Sequence, residues 1–331
     1  MKAYTENELR IFFKSLTADY SVQVPVKLHD GTRTLGELDS GDLALAGGAL
    51  PMKPTSVFAP YQEVILTFKE KKIEATKEAQ PIFVVGFTAE DADCLEYIDK
   101  FYSKDYVDFP YFNKRQNAVV VCVTGKCGAA GELLKIANGK CDFELIALGN
   151  SEYIPVAYSD TGKNLVAKIS GGKEVSCDAL DKLKSAAEKL SQEDTEMLQK
   201  VSALILANKV PDEFWQTISD RCISCTACTL CCPTCTCFDV FDRKSLLHKN
   251  IERVRLRDSC LLDGFMREAS GHNPMAKESQ RTRRRIHHKL AADVKRNGVI
   301  TCFLCGRCDK VCPSNIGIKS VCRELLKYVG A

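Results

Sequence analysis

Hydrophobic and polar positions alternate over residues 20–28, where Val22, Val24 and Val26 point to one face of a predicted strand. Other segments are short apolar runs, which are typical of strands buried in a sheet. These runs predict strands at residues 64–68, 82–85, 118–123, 145–148 and 153–156.

Two capping patterns predict where helices begin. Thr5 is followed three residues later by Glu8, and Thr88 is followed by Asp91, each just before an apolar-periodic stretch. The second pattern lies between the predicted strands at 82–85 and 118–123. A strand, a helix and a strand in that order favour a βαβ unit and an α/β N-terminal domain over residues 1–175.

Residues 176–210 predict a helical connector, because apolar residues recur at helical spacing from Leu180 to Ile205. The polar run 191–194 predicts a break between two helices. Pro211 then begins the last unit, residues 211–331.

Cysteine is the unusual component of the composition. The chain of 331 residues has eighteen cysteines, of which thirteen lie in the last third. No signal-peptide pattern and no apolar run of membrane length is visible, so we expect a cytoplasmic protein whose thiols bind metal rather than form disulfides. The net charge of +3 favours neither nucleic acid nor an acidic substrate as a partner.

The spacing Cys-x2-Cys-x2-Cys-x3-Cys-Pro occurs twice, ending at Pro233 and at Pro313. This is the bacterial ferredoxin spacing, in which three cysteines bind one [4Fe-4S] cube and the fourth binds the other cube. The predicted ligands of the first cluster are Cys222, Cys225, Cys228 and Cys312. Those of the second cluster are Cys302, Cys305, Cys308 and Cys232.

Structural zinc is the alternative, since four thiolates also suit that ion. Zinc sites use separated Cys-x2-Cys pairs, whereas here three cysteines stand in tandem before Cys-Pro, so the pattern favours iron–sulfur clusters. A cube with four thiolate ligands has no open coordination position, which indicates transfer of single electrons rather than conversion of a substrate.

The stretch RCISCTACTLCCPTCTCFDVFD at 221–242, together with Ser259-Cys260, Gly271-His272-Asn273 and residues 301–309, resembles a particular family. It contains the iron–sulfur (beta) subunit of cytoplasmic sulfhydrogenases and the corresponding iron–sulfur subunit of anaerobic sulfite reductase. The resemblance is close over about residues 212–325 and holds in outline over about residues 55–160. It implies a subunit that relays electrons between a flavoprotein, which binds FAD and NAD(P)H, and a catalytic redox subunit.

The resemblance also leaves cysteines without an assigned role. Family members hold a third cluster in the N-terminal domain with a Cys-Asp pair and a Cys-Phe-Cys run, and residues 86–91 and 122–127 depart from that pattern. A rearranged third cluster and buried free thiols are the two alternatives for Cys94, Cys122, Cys127 and Cys141. Thiols beside the clusters, or small core residues, are the expected role of Cys231, Cys235, Cys237, Cys260 and Cys322.

Two weaker signals remain. The glycine-rich run 125–131 follows a strand and precedes a helical pattern, but its first gap is one residue too long for a dinucleotide fingerprint, which favours an ordinary turn. Eight basic residues lie between Lys277 and Arg296. Two interpretations of this segment are open: a solvated helix face, and a docking surface for an acidic partner or an anionic substrate. Nucleic-acid binding is disfavoured because no aromatic residues are interleaved with these cations.

We therefore expect an α+β protein: an α/β N-terminal domain, a helical connector, and a two-cluster ferredoxin-like domain with a helical insertion at 239–298. The expected function is electron transfer in a multisubunit oxidoreductase of the sulfite-reductase or sulfhydrogenase type. The alternatives are a catalytic iron–sulfur enzyme that binds substrate at a noncubane or third cluster, and a zinc protein that binds nucleic acid. Neither nucleic acid nor a membrane is an expected partner.

Overall fold

The structure is a computed structural model that describes residues 1–69, 72–75, 80–245 and 250–330. The chain divides into two compact units. The first comprises Met1–Phe58 and Glu78–Glu193, and the second comprises Ala59–Lys77 and Asp194–Ala331. Each unit therefore contains more than one stretch of the chain.

The described strands form two sheets. In chain order the strands are β1 (Lys2–Thr5), β2 (Ser21–Lys27), β3 (Arg33–Gly36), β4 (Asp42–Leu43), β5 (Gln62–Lys69), β6 (Lys72–Ala75), β7 (Ile82–Phe87), β8 (Val119–Gly125), β9 (Phe143–Ala147), β10 (Glu152–Ala157), β11 (Lys173–Glu174), β12 (Phe238–Lys244) and β13 (Ile251–Arg257).

The described α-helices are α1 (Glu6–Ser15), α2 (Ala89–Ser103), α3 (Phe109–Arg115), α4 (Asp160–Val166), α5 (Cys177–Leu206), α6 (Asp212–Asp220), α7 (Ala227–Leu230), α8 (Glu278–His287), α9 (Asp293–Asn297), α10 (Arg307–Lys310) and α11 (Ile318–Val329). A π-helical turn, His288–Ala292, connects α8 to α9.

The larger sheet belongs to the first unit and has the order β11-β1-β10-β9-β8-β7-β2-β3, with β4 also paired to β2. Its four central strands, β2, β7, β8 and β9, run parallel, and the outer pairs are antiparallel. Every residue of β7, β8 and β9 is buried, as expected for strands covered on both faces. The predicted βαβ unit is confirmed: β7 and β8 are parallel neighbours, and α2 begins between them with Thr88 and Asp91 in a capping box.

The second unit contains a smaller antiparallel sheet with the order β12-β13-β5-β6. Local periodicity correctly predicts β5, but one of its two partners is β13, nearly two hundred positions later in the chain. The buried ion pair between Arg255 and Glu63, 2.5 Å from Nη2 to Oε1, joins these two strands. The core of this unit packs the end of α5 against α6, α8 and α11 around Trp215, Ile286 and Val321.

The expected α+β fold is confirmed, with two corrections of detail. The predicted break at residues 191–194 is wrong, because α5 is one helix of 30 residues. That run contains neither glycine nor proline, and Asp194 pairs with Lys319 at 2.9 Å, so a polar run is compatible with a continuous helix. The insertion at 239–298 contains the β12–β13 pair before its helices, and residues 246–249 of it lie outside the described residues.

Within the described ranges, no helix combines the length and the apolar character that crossing a bilayer demands.

Candidate metal centres

The two cysteine runs fold into loops with the same backbone conformation. Ser224 and Leu304 occupy matching positions and both have positive φ, 51° and 54°. Thr226 and Gly306 also match, with φ of 65° and 75°, and each immediately precedes a four-residue helix, α7 or α10. The sequence repeat is therefore a structural repeat, in which left-handed residues on either side of the second cysteine turn the chain so that three cysteines can face one point.

The predicted ligands of the first cluster lie around one space. An open cavity is lined by residues of the first run together with Cys312, Pro313 and Ile316 from the second run and the residues after it. Its four cysteines are Cys222, Cys225, Cys228 and Cys312. The fourth cysteine of the second run thus faces the first loop, although residues 229–311 separate it from Cys228.

The predicted ligands of the second cluster are also neighbours. Cys232 from the first run lies close enough to Cys302 and Cys308 for its charge to raise the pKa of both thiols. Cys231, the residue before it, lies near Cys305 as well as Cys308. The crossing is therefore reciprocal, because each run contributes its fourth cysteine to the neighbourhood of the other run.

Burial and hydrogen bonds set the chemistry of these thiols. Burial raises the pKa of Cys302 well above its usual value and raises the pKa of Cys308 to about 11. Backbone N–H groups point at the sulfurs: the nitrogen of Ile318 is 3.3 Å from Cys308 Sγ, and that of Ile316 is 3.5 Å from Cys312 Sγ. Thiols of this kind hold their protons until a cation replaces them, and N–H donors then stabilise the thiolates.

Arg285 lies between the two sets of cysteines. Its guanidinium is buried, donates to the carbonyl of Ile316 at 2.7 Å, and hydrogen-bonds to Cys308. It also lines the cavity of the first set and lies close to Cys228. One fixed positive charge is therefore shared by both candidate centres.

A second buried cation, Lys289, lies one helical turn further on. Its ammonium donates to Thr234 Oγ1 at 2.6 Å, and that hydroxyl donates in turn to the carbonyl of Thr301 at 2.8 Å. Cys232 Sγ is 3.4 Å from the same hydroxyl. The π-helical turn that contains Lys289 thus packs directly beside the second set of cysteines.

These positions correct the expectations for the basic segment 277–296. Arg281, Arg285 and Lys289 are buried, and Arg283 pairs with Asp212 at 2.8 Å and lies over the Trp215 ring. The segment is therefore not a wholly solvated helix face, and a docking surface on its exposed cations stays a prediction.

Sequence reasoning missed this role of the basic segment, although a signal exists. Arg281, Arg285 and Lys289 recur every four residues, which places them on one face of a helix. Arg285 and Lys289 also stand directly before the apolar residues Ile286 and Leu290. Cations at helical spacing beside apolar positions can mark a face that is turned toward an anionic centre inside the protein.

The described residues include no three His, Cys, Asp or Glu side chains that converge as ligands of a single metal ion. The cysteines of the first set instead stand around a volume. That is the arrangement a cube requires, since its four ligands bind four different corners. The residues present therefore fit an iron–sulfur cluster.

The cysteines of the first unit lie in its interior. Cys94, Cys122 and Cys127 are buried, the thiol of Cys94 donates to the carbonyl of Glu90 at 3.0 Å, and Cys122 hydrogen-bonds to half-buried Cys141. Burial raises the pKa of Cys127 to about 12. A third cluster made from these four residues stays a prediction.

The glycine-rich run 125–131 forms a turn, as the sequence favours, but no helix follows it within the described residues up to Gly139. Gly125 ends β8, and Leu134 then forms an isolated bridge back to Gly125. The predicted helical pattern after the run is therefore wrong. Without a helix N-terminus at this place, the loop lacks the group that receives a dinucleotide phosphate.

Comparisons with known proteins indicate the same kind of metal centre, and the ligand set of each cluster stays a prediction. Residues 221–316 match the family model of a 4Fe-4S dicluster domain. Iron–sulfur clusters in this region are thereby supported. Over 314 residues the chain is 26% identical to sulfhydrogenase 2 subunit beta of Pyrococcus furiosus, with 92% of each chain covered, so the resemblance to sulfhydrogenase beta subunits is confirmed. No solved structure matches the chain.

Proposed function

We propose that this chain is an electron-transfer subunit that carries two [4Fe-4S] clusters within a multisubunit oxidoreductase of the sulfhydrogenase or sulfite-reductase type. The observation that carries the proposal is the cavity lined by three cysteines of the first run and by Cys312 of the second run. The dicluster match and the similarity to a sulfhydrogenase beta subunit support it.

Each cluster, when bound, accepts and releases one electron at a time. The residues of the chain hold the clusters and stabilise their charge. Cys222, Cys225, Cys228 and Cys312 would hold the first cluster, and Cys302, Cys305, Cys308 and Cys232 would hold the second. Arg285 keeps a positive charge beside both sets, and the N–H groups of Ile316 and Ile318 donate to ligand sulfurs. These contacts favour the more negative, reduced state of both centres.

A relay needs a donor and an acceptor. FAD and NAD(P)H, bound to a separate flavoprotein, are the proposed source, because flavin converts a two-electron hydride into single electrons. A catalytic redox subunit is the proposed acceptor. The turn at 125–131, which leads into no helix, supports keeping the nicotinamide site on a partner.

Anaerobic reduction of the clusters tests this proposal. The isolated holoprotein, mixed with NADH or NADPH, should keep its oxidised visible spectrum. Addition of the flavoprotein that co-purifies with the native chain should bleach the broad iron–sulfur absorbance within the time of turnover. Direct bleaching of the isolated chain by nicotinamide, with FAD bound to it stoichiometrically, would contradict the relay.

A further inference from the structure

Two cysteines outside the predicted ligand sets meet at the open end of a β-hairpin. Cys237 immediately precedes β12 and Cys260 follows β13. The strands are antiparallel, with Phe238 opposite Arg257, and the N–H of Asp258 donates to the carbonyl of Cys237 at 3.1 Å. Because the hairpin aligns its two ends, these cysteines become neighbours in space.

Their side chains form an unequal pair. Cys237 is half-buried and Cys260 is buried. The Cys260 thiol and its backbone N–H both hydrogen-bond to Cys237, and with the nearby charges of His288 and Lys289 they lower the pKa of Cys237 below its usual value. The same contact raises the pKa of Cys260. The geometry therefore places two thiols of unequal acidity in hydrogen-bond contact, which is the arrangement of a reactive dithiol.

Lys289 connects this pair to the second set of cysteines. Its charge acts on Cys237, on Cys260 and on Cys302, while its ammonium is hydrogen-bonded to Thr234 beside Cys232. A single buried cation therefore lies next to both the dithiol and a candidate cluster ligand. Buried Cys322 differs, since burial raises its pKa to about 12 and keeps it a thiol.

We propose that Cys237 and Cys260 are a redox-active dithiol that, as a disulfide, takes up two electrons from the neighbouring iron–sulfur clusters. This inference rests on the proposed function, because the electrons come from the two clusters assigned there. On reduction the S–S bond breaks, one electron comes from each of the two reduced clusters, and one proton goes to Cys260 Sγ. Cys237 stays a thiolate beside Lys289. The site thereby links two clusters, which each carry one electron, to a disulfide that takes up two electrons, within one chain.

A reductive titration of the holoprotein tests it. We would use a Cys177→Ser parent, because Cys177 is exposed and would form a mixed disulfide. After equilibration with oxidised glutathione and desalting, the parent should take up about four electrons per chain, two for the clusters and two for the disulfide. Cys237→Ser and Cys260→Ser should each take up about two, and the matched control Cys322→Ala about four. Alkylation and mass spectrometry should find Cys237 joined to Cys260 only before reduction.

The outcomes separate this proposal from the cluster assignment. A parent with a full iron content that takes up only two electrons overturns the dithiol and leaves the clusters in place. A parent without iron and sulfide overturns both. If Cys237→Ser and Cys260→Ser lose iron that the parent and Cys322→Ala retain, the two thiols are iron ligands and the dithiol is wrong.

Discussion

The guanidinium of Arg285 hydrogen-bonds to Cys308 while it also lines the cavity that Cys228 faces. Reduction adds negative charge to a thiolate-bound cluster, and a buried cation stabilises that charge more than water-exposed cations do. Arg285 of the basic segment therefore lies inside the second unit, next to the candidate metal centres.

Removing that charge should lower the reduction potential. We expect Arg285→Gln to make at least one cluster harder to reduce, by about 65–130 mV, since a hydrogen bond to a charged group contributes about 1.5–3 kcal/mol and a cluster takes up one electron. An EPR-monitored redox titration measures this shift. Arg285→Lys should recover part of it, and Arg283→Gln, on the same helix but paired with Asp212, should leave the potentials unchanged. Unshifted potentials in fully loaded Arg285→Gln would show that the guanidinium has only a packing role.

The iron content tests the number of clusters. Anaerobically purified protein should contain about eight iron and about eight acid-labile sulfide per chain, and a third cluster would raise each value to about twelve. Elemental analysis and the brown iron–sulfur absorbance measure this directly. A colourless preparation with zinc and no sulfide would contradict the assignment of both ligand sets.

The crossed ligation can be tested by comparing spectra of single variants. Cys312→Ala and Cys222→Ala should damage the same cluster and leave matching EPR spectra, because both residues line the same cavity. Cys302→Ala should damage the other cluster, together with Cys232→Ala. If the spectrum of Cys312→Ala instead matches that of Cys302→Ala, each run binds its own cluster and the ferredoxin pairing is wrong.

The buried pair between Glu63 and Arg255 should contribute strongly to the stability of the smaller sheet. Their side chains are only 9% and 6% exposed, so Glu63→Gln leaves a buried guanidinium without this charged partner and should cost about 3–5 kcal/mol. Asp242→Asn removes the partner of Arg253 in the same sheet, but that pair is exposed and the change should be small. Hydrogen-exchange rates of the β13 amides report the stability of the sheet in both variants. Equal losses of protection in Glu63→Gln and Asp242→Asn would contradict a larger contribution from the buried pair.

The sequence alone predicts the elements whose signals are local. The alternation around Val24, the capping boxes at Thr5 and Thr88, and the doubled cysteine spacing each depend on residues a few positions apart. The placement of Cys312 beside the first run also follows, because the motif itself carries that geometry. Local patterns could not predict that β5 pairs with β13, since any exposed strand edge offers the same hydrogen bonds.

Charge was the misleading signal. Arg281, Arg285 and Lys289 predict an exposed surface by composition, since cations are seldom fully buried without partners. Here their donors reach the carbonyls of Leu261 and Ile316 and the hydroxyl of Thr234. Those partners come from other segments and are visible only in three dimensions. The pairing of Cys237 with Cys260 was hidden for the same reason, because the hairpin between them sets it.

The pairing of β5 with β13 has a consequence for how the protein is made. Ribosomes deliver β5 and β6 long before they deliver β13, so one edge of β5 has no partner strand until late in synthesis. The first unit is interrupted by that strand and resumes after it. A chain truncated near residue 193 would therefore keep β5 and β6 but lose β13. The unpaired edge of β5 would then be prone to pair with other chains. A heterologous host that folds domains as they emerge should need chaperone binding at this edge until translation ends.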